Sequence, residues 1–105
     1  MTSGPAVTIS DATDGLRVDL GGRWRIEDGL PDHARLAEAL ARAPGRRVAL
    51  LGAGVSEWDG SLVAWALAAA RLAEARGAEV DVEGLPEGAR ALLALARAAP
   101  PRGGR

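Results

Sequence analysis

The chain has no cysteine, phenylalanine, tyrosine or lysine among its 105 residues. Without cysteine it can form neither a disulfide framework nor a thiolate metal site, a composition suited to a reducing compartment. Without Phe or Tyr its core has to be assembled from Leu, Val, Ile, three Trp and closely packed Ala. All thirteen basic residues are Arg, set against fourteen acidic ones for a net charge of −1. The two signs are interspersed. The clustered basic stripe that a general nucleic-acid binder needs to neutralise phosphates is therefore missing. Long apolar runs are missing too: the longest, Leu62 to Ala70, falls far short of the ~20 residues that span a bilayer. Met1-Thr2-Ser3-Gly4-Pro5 has neither the basic nor the apolar region of a secretory signal. The expectation is a cytoplasmic protein with no direct membrane insertion.

A chain of this length makes one domain, burying roughly 60–65% of the surface its unfolded form exposes. Residues 6–10 and 16–20 alternate apolar and polar side chains, the period of half-buried strands. Asp11 to Gly15 between them has the composition of a hairpin turn. Gly21-Gly22 lets the chain bend into Trp24-Arg25-Ile26, a strand end or short continuation. Pro31 and Asp32 open a first helix with apolar Leu36, Ala37, Leu40 and Ala41, and Pro44-Gly45 stop it. Arg47 to Ala53 is nearly continuously apolar, as in a central strand covered on both faces. A helix follows from Gly60 to Arg76, with Gly77 at its C-cap. Glu79 to Glu83 alternates as a strand, and Leu85-Pro86-Glu87 starts a last helix to Arg97. The order β-β-α-β-α-β-α predicts an α/β domain over residues 6–98, with an open mixed sheet of about four strands flanked by helices. Residues 1–5 read as a disordered N-terminus, and 99–105 as a flexible tail or linker stub.

Chemistry-bearing residues concentrate where the central strand meets its helix, at Ser56-Glu57-Trp58-Asp59-Gly60-Ser61-Leu62. Asp59 or Ser56 can cap the helix by accepting from its free N–H groups, and anionic groups are favoured at that end. Trp58 beside so tight a turn is either a surface anchor, a residue type enriched in binding hot spots, or a lid over the core. Trp65 is expected to face the core, and Trp24 to pack where the second strand ends. His33, without Cys or acidic neighbours at ligand spacing, reads as solvated surface and not as a metal ligand. The Glu57 and Asp59 carboxylates are too exposed for burial to separate their pKa values as an acid/base pair requires.

Several segments, taken in order, resemble the STAS domain, and most closely the STAS domain or subunit of phospholipid-transport ABC systems. They are Gly22-Arg23-Trp24, Arg47 to Leu51, Trp58 to Trp65, Ala75 to Val80, and Gly84-Leu85-Pro86 with its Leu-rich helix. Together they cover residues 5 to 98. The resemblance implies a non-enzymatic protein-interaction domain with no cofactor. It would bind a partner through the loop and helix after the central strand, Ser56 to Leu62, and many such domains are switched there by phosphorylation. The family pattern is Asp, a phosphorylatable Ser or Thr, a small residue, then Gly. Here Asp59 keeps the acidic place, Gly60 occupies the acceptor position, Leu62 replaces the Gly, and Ser61 lies one residue late. Constitutive docking is therefore the implied mode, with phosphorylation at Ser61 as the secondary reading. The implied partner is the transporter's ATPase, with the permease as a further candidate, at the inner face of the inner membrane.

Two alternatives compete. An anti-sigma-factor antagonist would instead meet an anti-sigma-factor kinase, a reading weakened by Gly60. A dinucleotide-binding turn at Leu51-Gly52-Ala53-Gly54 would need a third Gly where Glu57 stands, and the carboxylate there would repel a pyrophosphate.

Overall fold

Strands β1 (Ala6–Ala12) and β2 (Gly15–Trp24) form an antiparallel hairpin, on which the rest of the sheet is laid down in chain order. The computed structural model describes residues 4–42 and 46–98. Strand β3 (Arg47–Trp58) lies parallel to β2, and β4 (Val80–Gly84) lies parallel to β3. The sheet is thus mixed and open, in the order β1-β2-β3-β4. Three helices complete the α/β domain: α1 (Ala34–Arg42), α2 (Gly60–Ala75) and α3 (Glu87–Ala98). The Pro44-Gly45 stop, the tail from 99 and residues 1–3 lie outside the described residues. No helix among the described residues is long and apolar enough to cross a membrane.

All the helices lie on one face. Both parallel crossovers, through α1 and through α2, step the same way across the sheet. With the right-handedness such connections take, they deliver their helices to the same side. Leu16, Val18 and Leu20 of β2 and Val48 and Leu50 of β3 point to that side. They form one core with Leu36 and Leu40 of α1, Leu62 and Trp65 of α2, and Leu93 of α3. The expectation of a central strand covered on both faces is corrected here. Val48, Leu50 and Gly52 are buried, whereas Ala49 and Leu51 are half-exposed and Ala53 exposed. The apolar run misled because small Ala side chains sit on a bare face at little cost.

Helix α2 buries Leu62, Trp65, Ala66, Ala69, Ala70 and Ala73, the three-and-four spacing of a helix stripe. It ends in a Gly77 cap with φ +83°, where the Gly77 and Ala78 N–H groups donate to the Glu74 and Ala73 carbonyls. Trp24 is fully buried, its ring edge-on to Trp65 at 5.5 Å, and its Nε1 donates to the Gly21 carbonyl at 2.9 Å. Trp65 Nε1 donates to the Pro31 carbonyl at 2.9 Å. Both Trp side chains therefore lie in the core, as expected.

Strands β2 and β3 are longer than their apolar patterns predict. The expected bend at Gly21-Gly22 is a pair of register irregularities between β2 and β3, with Gly22 at φ +79°, and the strand continues through it. The β1 pairing reaches only Gly21 and the β4 pairing only Leu51. Beyond those points Gly22–Trp24 and Gly54–Trp58 run on as a two-stranded ribbon past both edge strands. Gly52 and Gly54 therefore sit inside a strand. That removes the strand-to-helix phosphate turn on which the dinucleotide alternative depended.

Candidate functional site

The ribbon ends at the start of α2, and one carboxylate organises that corner. Asp59, in extended conformation, is the N-cap: its Oδ1 accepts from the Ser61 N–H at 2.8 Å. Its Oδ2 accepts from the Ile26 N–H at 3.0 Å, across 33 residues of sequence. Its own N–H donates to the Trp24 carbonyl at 2.9 Å. The nearby Ser61 hydroxyl, then the Ser61 and Ile26 N–H groups, hold the Asp59 carboxyl below the usual carboxylate range. The hydroxyl lies outside hydrogen-bond geometry, so the two N–H donors carry the contact.

On the far side of this cap the chain makes a single 3-10 turn, Ile26–Asp28. Arg23 fastens it through Nε and Nη2 to the two Asp28 oxygens at 2.8 and 3.1 Å. This bidentate bond holds the Asp28 carboxyl below its ordinary range. The Asp28 N–H donates to the Arg25 carbonyl at 2.9 Å and the Gly29 N–H to the Ile26 carbonyl at 3.2 Å, with Gly29 at φ +78°. Arg25 stands among three carboxylates, 3.3 Å from Glu57, 3.7 Å from Glu27 and 4.0 Å from Asp59.

The seven residues expected to form the partner surface separate into three groups. Ser56, Glu57 and Gly60 are exposed. Trp58 and Asp59 are half-buried and have structural duties. The Trp58 ring lies flush on α3, where a Cβ at Gly88 would come within 3.0 Å of Cζ2, so Trp58 is a lid over the core and not a free anchor. Ser61 and Leu62 are buried, at 5% and 0% exposure, because the first turn of α2 rolls them beneath the cap. That corrects their expected place on the partner surface. The Ser61 hydroxyl is enclosed and unpartnered, so a kinase could not reach it in this conformation.

His33 also departs from expectation. It is half-buried and stacked on Trp65 at 4.5 Å, with Nε2 3.1 Å from the Trp65 carbonyl. A carbonyl only accepts, so Nε2 carries the proton. The described residues contain no group of three or more His, Asp or Glu able to hold a metal ion. Sequence reading missed Ile26. It stands 67% exposed at the corner, and the only hint was an apolar residue next to charged ones in a segment taken for a strand end.

No family model matches the chain, and no curated protein does.

The cap has a pH signature. Asp59 has a lowered pKa in the folded state, so its contribution is complete above the unfolded value of about 3.9 and is lost as pH falls through the folded value. Asp59→Ala is expected to lower Tm by several degrees at pH 7. The gap to wild type should close as the pH is taken below about 4. Thermal unfolding of both proteins between pH 7 and pH 2.5 measures it, and a gap that stays constant would contradict the assignment.

Proposed function

We propose that this chain is a STAS-type docking domain that binds another protein through the corner where β3 gives way to α2. The partner we favour is the ATPase of a phospholipid-transport ABC complex, whose assembly or regulation the domain supports. One observation carries the reading. The β2–β3 ribbon outruns both edge strands and presents Ser56 and Glu57 to solvent, with Gly60 of α2 exposed next to them, beside a turn fastened from two sides. The order of Gly22-Arg23-Trp24, Trp58 to Trp65 and Gly84-Leu85-Pro86 supports the family half of the proposal.

Docking on this reading is constitutive. Gly60 offers no hydroxyl at the family's acceptor position, and Ser61 is enclosed. The same two facts make the anti-sigma-factor antagonist the weaker reading.

Gly60 is the cleanest probe of the site. A Cβ built there meets nothing within 4 Å, and the backbone is not in the left-handed region. Gly60→Arg should therefore leave Tm within a few degrees of wild type while its side chain blocks the corner. Capture of the purified ATPase subunit from the same host by the immobilised chain is expected for wild type and strongly reduced for Gly60→Arg. Equal capture by both would move the interface elsewhere. Absence of wild-type capture, with binding instead to an anti-sigma-factor kinase, would favour the alternative.

A further inference from the structure

Among the described residues four large apolar side chains stand exposed: Ile26, Leu30, Leu92 and Leu95. Scattered singly, such residues are ordinary. Ile26 differs from the others in how its backbone is held. Its N–H is bound by the cap carboxylate of α2, and its carbonyl by the Gly29 N–H. The turn it opens is pinned by the bidentate Arg23–Asp28 bond. An exposed isoleucine on a backbone tied at both sides has already lost most of the freedom that binding would remove. Preorganisation of this kind raises affinity by cutting the entropy cost of association.

The charge around it is lopsided. Arg23 and Arg25 face Glu27, Asp28, Glu57 and Asp59, two guanidinium groups against four carboxylates. Arg23 is engaged by Asp28, and Arg25 is shared among the other three. Glu27 and Glu57 remain more than half exposed, at 59% and 52% of their side chains. The corner is thus an apolar tip in an acidic collar.

We infer that Ile26 is the anchor of the docking surface, and that the partner meets it with an apolar socket rimmed by Arg or Lys side chains. This rests on the docking reading above and adds to it the chemistry of the partner's face. A complementary basic rim would steer encounter and lose strength in salt, while the buried tip would carry the affinity.

The test measures binding of the full chain to the purified ATPase subunit at about 50 and 300 mM salt, salt levels over which screening changes markedly. The variants are Ile26→Glu, Ile26→Val and the double charge reversal Glu27→Arg/Glu57→Arg, each with its Tm. Ile26→Glu should weaken binding by about 30-fold or more, the range of a hot-spot residue, with Tm close to wild type because the side chain is already in solvent. Ile26→Val should retain most of the affinity. The charge reversal should slow association at low salt and reverse the salt dependence, because it leaves the corner with more guanidinium groups than carboxylates facing a basic rim. Wild-type binding that Ile26→Glu leaves unchanged overturns the anchor while the docking reading stands. Wild-type binding that strengthens with salt overturns the basic rim. If wild type does not bind the ATPase at all, the docking reading falls and takes this inference with it.

Discussion

Replacing Trp24 with alanine is expected to cost about 3–5 kcal/mol, the range for emptying a buried aromatic site. Small domains hold only about 5–15 kcal/mol in total, so the variant should be partly unfolded or melt far below wild type. Three losses coincide. The side chain is fully buried, its Nε1 hydrogen bond to Gly21 helps fix the bulged stretch of β2, and its ring supports Trp65 edge-on at 5.5 Å. The last term couples the two residues, so Trp24→Ala and Trp65→Ala should be less than additive when combined. Trp24→Phe should recover most of the loss, since it restores apolar volume and gives up only the N–H. Urea unfolding of wild type and the four variants measures this. A loss below about 1 kcal/mol, the typical cost of an unremarkable substitution, would show that Trp24 is not the keystone of this core. The variant also bears on the proposed docking, because the Trp24 carbonyl receives the Asp59 N–H at that corner.

The second large effect needs only one methyl group. Gly15 is buried and begins β2 opposite Ala12 of β1 and Arg47 of β3. A Cβ there would overlap the Arg47 carbonyl oxygen and lie 2.7 Å from its carbon, against backbone that has no rotamer by which to retreat. Either β2 or β3 must shift. The shift would also disturb Arg46, whose Nη2 donates to the Ala12 and Gly15 carbonyls at 3.0 and 3.1 Å and closes the hairpin from 31 or more residues away. Gly15→Ala is expected to cost about 3 kcal/mol or more, at or beyond the upper end for overpacking. Gly60→Ala, with open space around its Cβ, is the internal control and should change stability little. A Gly15→Ala protein as stable as that control would refute the close approach.

Local signals made much of this domain legible. The alternation in β1 and early β2, the stripe on α2, the Gly77 cap and the start at Glu87 are each written within a few residues, and each lies where its pattern predicts; α1 begins two residues later than Asp32, at Ala34. The misreadings share a different cause. Gly21-Gly22 reads as a bend, and the central strand reads as ending at Ala53, because glycine interrupts a strand pattern; β2 and β3 run on to Trp24 and Trp58. In the fold Gly21 and Gly22 pair with Gly54 and Val55, a partnership across about 30 residues that no local window contains. Ile26 was invisible for the same reason: its significance comes from Asp59, 33 residues away. Ser61 misled in the opposite direction. The family resemblance implies an outward-facing Ser61 on the partner loop, with phosphorylation there only a secondary reading, but helical geometry turns that position inward beneath the cap. The candidate corner could thus be located from sequence, whereas which of its side chains face outward could not.

The one-way progression of the strands has a further consequence. Open α/β sheets usually hold nucleotides in the gap that opens where neighbouring loops diverge, and that divergence requires the strand order to reverse. From β1 to β4 the order never reverses, so no such gap opens. Above the middle of the sheet the continuing β2 and β3 backbones run on past β1 and β4, so that a two-stranded ribbon projects from the carboxyl end of the sheet. On the docking reading proposed above, such a projecting ribbon would enter a hollow in the partner.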